Sequence, residues 1–374
     1  FGNLDQTWKG ITDNKVCYDK LTKFPWNKYT RSKVAGEVKF NAKDYSSISE
    51  RDREKMPEYM QWALVSADEL LEGQDLEKER TGVIVSSALS MYLETLRANS
   101  KGTDNTFTFT PNMISNIINI KYGFTGPSTM ISSACSTGLY SIIMGCMLIE
   151  TGQADNIIAG AFDNAIHPET YKQFGKLRAL STKFNNNPEK ASRPWDTKRD
   201  GLVPSEGGAL FLLSNKRTPE TLAEIASYSM TNDAYQVVAP HPDGSMIEKC
   251  IKDTLQDGRG RRIPDLINAH ATSTPMGDYI EIDALKRLGL QDVWVTANKS
   301  QIGHLMGAAG AIETALSVLS LKHGVITPSL NIEHLENNYD IKYTPTAKNY
   351  MINSVLCNSF GFGGSNASIL LSKT

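Results

Sequence analysis

The stretch Thr129–Ala161, TMISSACSTGLYSIIMGCMLIETGQADNIIAGA, sets the architecture of the chain. Thr129–Ser133 reads as a strand. Thr137–Glu150 then carries Leu139, Ile142, Ile143 and Met147 on one face at helical spacing, so a helix follows. Asn156–Ala161 (NIIAGA) is a short apolar run beyond a turn and reads as the next strand. A strand–helix–strand unit of this kind is the repeat of α/β folds with largely parallel sheets.

The same alternation extends outward. Upstream, residues 1–60 are polar and weakly patterned. Met60–Leu71 reads as an amphipathic helix, Thr81–Leu89 as a buried strand and 99–110 as a polar loop. Downstream, 181–206 must be mostly loop, and Gly208–Ser214 is strand-like. Lys216–Glu220 (KRTPE) is a plausible joint. Beyond it the theme repeats: strands at Leu222–Tyr228, Leu266–Ala269, Val293–Ala297 and Ser368–Leu371, and helices at Ile247–Leu255, Asp278–Leu288 and Ala308–Leu321. A chain of 374 residues exceeds what one core usually supports. Two halves, 1–220 and 221–374, are therefore expected.

Composition narrows the function. Hydrophobic residues make up 40% and charged residues 21%, ordinary globular values. The net charge of −2 does not point to general nucleic-acid binding. Five cysteines stand far apart with no CxxC pair, which argues against a zinc or redox dithiol site and for a reduced compartment. No apolar run reaches the ~18 residues of a membrane span, and no signal peptide is visible. Phe1 is not a natural start, so an upstream segment is expected, with room for a targeting sequence.

Four strings carry chemistry. In SSACSTG, Ser132–Gly138, Cys135 stands where a strand meets a helix, so free N–H groups should favour its thiolate. In NAHATSTPMGD, Asn268–Asp278, His270 directly follows a strand, where α/β sheets usually bind ligands. In NKSQIGHLMGAAGAIE, Asn298–Glu313, Lys299 and His304 flank a turn, and Glu313 on an apolar helix needs a buried partner, for which Lys299 is the candidate. In NSFGFGGSNA, Asn358–Ala367, glycines alternate with Phe360 and Phe362 in a flexible loop. It lacks the order of a phosphate loop, so nucleotide binding is rejected. Taken singly, each string also has a bland reading: a buried cysteine, a structural histidine, a tightly packed helix, a glycine turn. Together they make up a thiol-acyl site with oxyanion stabilisation.

These strings resemble those of the elongating (I/II) β-ketoacyl-acyl carrier protein synthases, in the thiolase-like superfamily. The resemblance runs from about Tyr122 to the C-terminus and takes in RALSTK (Arg178–Lys183), ASRPWDTKRDGLVPSEGGA (Ala191–Ala209) and APHPDGS (Ala239–Ser245). It implies a five-layered αβαβα fold of two pseudo-symmetric halves, usually a homodimer, and a ping-pong decarboxylative condensation. Cys135 would take the acyl group from acyl carrier protein. His270 and His304 would stabilise the enolate of decarboxylated malonyl-carrier protein. Lys299, with Glu313, would orient and tune His304. Amides of Cys135 and Phe362 would hold the oxyanion, Phe360 and Phe362 would gate the acyl pocket, and Thr272 and Thr274 would bind the phosphopantetheine arm. Asp278 would act in support. No metal, nucleotide or other cofactor is implied; the substrates ride on phosphopantetheine. No membrane or nucleic-acid partner is expected.

The chain departs from that pattern in places. It begins after the family's opening VVVTGxG strand. Ser86–Met91 stands where glycines are usual, and Ser205 replaces a glycine before Glu206. These changes bear on chain-length preference more than on chemistry. The strings HATST and MPEYMQWAL look most like mitochondrial members, with plastid and bacterial origins as alternatives. Competing readings are a polyketide ketosynthase, a degradative thiolase, a Cys-His-Asn initiating synthase and a catalytically dead partner subunit. The retained Cys135, His270, Lys299 and His304 argue against the last.

Overall fold

The structure, a computed structural model, describes residues 2–374 apart from 27–29, 47, 102–106, 108–109, 258–259 and 337–338. In chain order, leaving aside the short helix Glu50–Lys55, the described α-helices are α1 (Leu4–Thr12), α2 (Glu58–Leu71), α3 (Ser90–Lys101), α4 (Met113–Tyr122), α5 (Thr137–Glu150), α6 (Pro168–Lys176), α7 (Ser245–Leu255), α8 (Pro275–Arg287), α9 (Lys299–Ile302) and α10 (Ala309–His323). The main strands are β1 (Thr81–Ser86), β2 (Ser128–Thr129), β3 (Asn156–Asp163), β4 (Gly207–Ser214), β5 (Glu224–Asn232), β6 (Leu266–Asn268), β7 (Trp294–Thr296), β8 (Ser354–Gly361) and β9 (Ser365–Ser372). Most of the polar loop expected over 99–110 lies outside the described residues; 99–101 close α3.

Two main sheets form, with strand orders β2-β1-β3-β4 and β7-β6-β8-β9-β5. The first four positions correspond: two parallel pairings followed by an antiparallel one. Only the second sheet carries a fifth strand, β5, antiparallel to β9. The sheets are thus mixed, where largely parallel ones were expected. In the second sheet the reason is local: β8 and β9 are joined through the three residues Phe362–Gly364, and a connection that short can only return the chain antiparallel. The string read as a flexible loop is therefore a hairpin, with loop character confined to its tip. β8 itself was not anticipated, although Val355, Leu356 and Cys357 are fully buried. At β2 the expected strand Thr129–Ser133 shortens to Ser128–Thr129.

Layering follows from which faces are apolar. Helices α2 and α4 cover the outer face of the first sheet, α5 and α10 lie between the sheets, and α7 and α8 form the far layer, α7 on the second sheet and α8 against α7. This is the five-layered αβαβα α/β arrangement. The middle layer is apolar nearly all round, as a helix sandwiched between two sheets must be. Ile84, Leu139, Ile142 and Ile157 of one half meet Leu266, Val355 and Ile369 of the other in one core. α5 and α10 approach closely because Gly138 has no Cβ, which would lie 2.5 Å from the amide nitrogen of Ala311. Among the described residues, no helix is long and apolar enough to cross a membrane.

Candidate active site

The starts of α5 and α10, the end of β6 and the β8–β9 tip meet at one place. Cys135 sits in a 3-10 turn (Ala134–Ser136) that runs into α5. Ala134 takes φ +50°, a left-handed value that turns the chain sharply before the sulfur. Thr137 locks this turn: its hydroxyl accepts from Ser133 N (2.9 Å) and donates to Ala134 O (2.7 Å). Ser359 on β8 donates to Cys135 O at 3.0 Å, tying the turn to the hairpin.

His304 enters from the other half. Its backbone is clamped by loop 203–205, donating to Val203 O (2.8 Å) and accepting from Ser205 N (2.9 Å). The chain reaches that position through Gly303 at φ +67°, where a Cβ would lie 2.1 Å from Ser205 Oγ. Its Nε2 then lies 3.1 Å from Cys135 Sγ. The His270 ring stands edge-on to His304, with centroids 5.5 Å apart, and touches Phe360 at 5.6 Å. The cysteine and both imidazoles singled out from separate strings meet at one place. Phe362 stacks on Phe174 at 5.6 Å.

Lys299 and Glu313 form the expected buried pair, 2.5 Å apart and each 1% exposed at the side chain. The ammonium leans on a different imidazole from the one anticipated. Nζ lies 3.5 Å from Nδ1 of His270, whereas its recorded influence on His304 is through charge alone. The cause is register: Lys299 opens the single turn of α9 and faces back toward the end of β6, while His304 lies past that turn.

Electrostatics set the resting protonation. Burial, reinforced by the charge of Lys299, holds both His270 and His304 well below the usual imidazole range, so both are neutral at pH 7. Burial pushes the Cys135 thiol up to about 11 against the Lys299 charge and an N–H from Phe362. Burial thus opposes the thiolate that the helix-start N–H groups were expected to favour. Lys299 and the Phe362 amide still act selectively on negative charge at that sulfur. Burial also raises the Glu313 carboxyl to about 7, opposed by Lys299.

Two acids fix the loop after β6. Glu281 accepts from the amides of His270 (2.9 Å) and Ala271 (2.8 Å). Asp278 accepts from those of Ser273 (3.0 Å) and Trp195 (2.9 Å). These bonds hold Ala271 and Ser273 at positive φ and present Thr272 and Thr274 half-buried, with their hydroxyls 2.9 Å apart. Sequence reasoning missed Glu281; its signal was a second acid one helical turn beyond Asp278 on α8. Phe174 was missed too, because nothing in its string sets it apart from an ordinary packing residue. A separate cavity of about 660 Å³, lined among others by Phe24, Met56, Gln61, Arg97, Ile166 and His167, contains none of these groups.

Known proteins share this layout. The family model described as "Beta-ketoacyl synthase, N-terminal domain" matches residues 2–218, and "Beta-ketoacyl synthase, C-terminal domain" matches 222–333. The chain belongs to the β-ketoacyl synthase family. Its members are condensing acyltransferases, and the pocket of this β-ketoacyl synthase straddles the two matched regions: Cys135 in the first; His270, Lys299, His304 and Glu313 in the second. A protein of Schizosaccharomyces pombe provisionally named as a mitochondrial 3-oxoacyl-[acyl-carrier-protein] synthase is 37% identical, over 98% of this chain and 94% of its own. The mitochondrial 3-oxoacyl-[acyl-carrier-protein] synthase of Arabidopsis thaliana is 33% identical, over 99% and 90%. Among solved structures, a type II polyketide ketosynthase in complex with its acyl-carrier protein superimposes with a TM-score of 0.88 at 24% identity, covering 100% of this chain and 96% of that one. At that identity the likeness shows the thiolase-like fold.

Proposed function

We propose that this β-ketoacyl synthase is a 3-oxoacyl-[acyl carrier protein] synthase that elongates fatty acids by decarboxylative Claisen condensation. One observation carries the reading: Cys135 Sγ lies 3.1 Å from a neutral His304 that itself abuts a neutral His270. In the first half-reaction Cys135 attacks the acyl thioester of acyl carrier protein. The amides of Cys135 and Phe362 receive the tetrahedral oxyanion, each such donor being worth roughly 3–4 kcal/mol. The pantetheine thiol leaves and the acyl group stays on sulfur. In the second, malonyl-carrier protein loses carbon dioxide, and its thioester oxygen takes up the negative charge as an enolate. Two neutral imidazoles can each donate one N–H to that oxygen. The enolate carbon then attacks the acyl-Cys135 carbonyl, the thiolate leaves, and a 3-oxoacyl-carrier protein is released.

In this scheme Lys299, held by Glu313, orients His270, favours negative charge on Cys135 and keeps both imidazoles neutral. Thr272 and Thr274 bind the phosphopantetheine arm, Asp278 supports their loop, and Phe360 and Phe362 gate the acyl cavity. The chemistry calls for no further cofactor. The partner is acyl carrier protein, the assembly a homodimer in which the free edge of β2 meets a second copy, and the site of action the mitochondrion, as the names of two relatives suggest.

Incubating the enzyme with acyl- and malonyl-carrier protein over a series of primer lengths tests the proposal. The expected result is carbon dioxide together with an acyl chain two carbons longer. A product that grows only from polyketide-type starters would favour the polyketide ketosynthase reading. No release with any primer would favour a dead partner subunit.

A further inference from the structure

Asp163, the last residue of β3, is fully buried yet has no part in the scheme above. Its carboxylate is crowded with donors. Oδ1 accepts from Ser87 Oγ (2.6 Å), Ser90 Oγ (2.8 Å), Leu89 N (3.0 Å) and Ser90 N (3.1 Å). Oδ2 accepts from Gly307 N (2.7 Å) and Ala88 N (3.2 Å). All six partners are N–H or O–H dipoles.

The amides come from two helix starts. Those of Ala88, Leu89 and Ser90 lead into α3, while Gly307 lies in the 3-10 turn Met306–Ala308 that runs straight into α10. Unpaired N–H groups and the positive ends of two helix dipoles thus converge on one anion. The second helix start is the one reached from His304. Between His304 and Gly307 the chain includes Met306 at φ +50°, a strained value that persists only where the surroundings enforce it. The fit is close: a Cβ on Gly307 would lie 2.6 Å from both Asp163 Oδ2 and Ala88 Cβ.

We infer that Asp163 is a positioning residue for His304, anchoring the His304–Gly307 turn to the start of α3 so that Nε2 faces the Cys135 sulfur. The two oxygens divide the work. Oδ1 serves the α3 side alone; Oδ2 holds the histidine turn through Gly307 at 2.7 Å and adds one longer bond, 3.2 Å, to Ala88. Asp163 also bears on the nucleophile directly, because its charge is one of the influences that push the Cys135 thiol up. This inference rests on the proposed roles of Cys135 and His304.

The substitution Asp163→Asn separates the two oxygens. With the amide oxygen in the Oδ1 place, the four Oδ1 contacts to the α3 side persist, and only the longer Ala88 bond on that side (3.2 Å) is lost. The amide NH2 then faces the N–H of Gly307, and two donors repel where a 2.7 Å bond stood. Displacing a catalytic group by about 1 Å can cost roughly 100-fold. Carbon dioxide release from malonyl-carrier protein should therefore fall by roughly tenfold or more. Alkylation of Cys135 by iodoacetamide should hold steady or quicken, because a charge opposing the thiolate is gone. Ser87→Ala, which removes a bond on the α3 side only, should lower the melting temperature without changing the ratio of the two rates. If Asp163→Asn lowers both rates equally, or leaves decarboxylation intact, the positioning role is wrong. Should that variant not accumulate in folded form, Gly307→Ala disturbs the same contact from the other side and must show the same selective loss. Wild-type enzyme run alongside keeps the two questions apart: decarboxylation and Cys135 acylation there support the proposed function whatever the variants do.

Discussion

Lys299 and Glu313 allow stability and catalysis to be separated. Each is 1% exposed at the side chain, and among the described residues the Glu313 carboxylate is hydrogen-bonded by Lys299 alone. Replacing Lys299 by Met leaves a buried carboxyl without its cation, and breaking a buried pair costs about 3–5 kcal/mol. At about 2.1 cal/mol/K of unfolding entropy per residue, that corresponds to a drop of roughly 4–6 °C in melting temperature. Replacing both residues (Lys299→Met with Glu313→Leu) removes the orphan as well. What remains is His270 Nδ1 without its 3.5 Å partner, a cost on the order of 1–2 kcal/mol. The double variant should therefore regain most of the lost stability. It should not regain condensation. Lys299 is the largest influence lowering the Cys135 pKa, so the thiol moves higher still, and His270 loses its positioning contact. A loss on the order of 100-fold in product formation is expected. Thermal unfolding and carbon dioxide release on the same three proteins decide the matter. A double variant that recovers both would show that the pair is structural only. A single variant within about 1 kcal/mol of wild type would show that the pair is far better solvated than its burial implies.

Three further outcomes follow from the same geometry. Prior acylation by acyl-carrier protein should block iodoacetamide at Cys135 and leave Cys146 and Cys250 unaffected; peptide mapping that finds the protected thiol elsewhere would unseat the nucleophile. His270 and His304 have folded pKa values below their unfolded value of about 6.5, so their contribution is intact above that pH and is lost as pH falls below it, by up to about 1.4 kcal/mol per pH unit for each group. Urea midpoints of His304→Asn should accordingly fall less steeply between pH 7 and 5 than those of wild type. Gly361→Ala places a Cβ 2.5 Å from Ser133 O and 3.1 Å from Cys135 N; it should spread the hairpin from the nucleophile turn and slow acyl transfer to Cys135, measured as burst amplitude with acyl-carrier protein.

Where the sequence could be read, and where it could not, has a physical basis. Thr137–Glu150 was legible to the residue because a helix between two sheets must be apolar at helical spacing. The strand before it shrank to Ser128–Thr129 because Met130–Ser133 extend the edge of a sheet toward a strained turn, where alternation has nothing to enforce it. β8 went unread because its buried run, Val355–Cys357, is short and its last residues belong to a glycine-rich string; glycine content masked a strand that is pinned by eight paired positions on β9. The chemical groups were legible from their strings. Apart from the Lys299–Glu313 pair, their contacts were not. Glu281 holds the backbone of His270 and Ala271 across a turn of 10–11 residues, and Asp163 holds that of Gly307 across 144, neither of which hydrophobic periodicity encodes.

The pairing of halves explains why the site has this composition. In each half a strand–helix junction points toward the middle layer, where α5 and α10 begin side by side, separated only by the missing side chains of Gly138 and Gly310. One junction carries a sulfur and the other an imidazole, so duplicated architecture is put to two chemical uses. The interior between the two sheets is buried, and burial has opposite consequences for the two groups. It keeps the histidines neutral, each able to donate an N–H to an enolate, and it suppresses the thiolate. A buried cation is the one group that serves both needs at once, lowering the thiol and the imidazoles together. Lys299 stands where its charge reaches all three, and Glu313 is what makes a lysine tolerable in that interior.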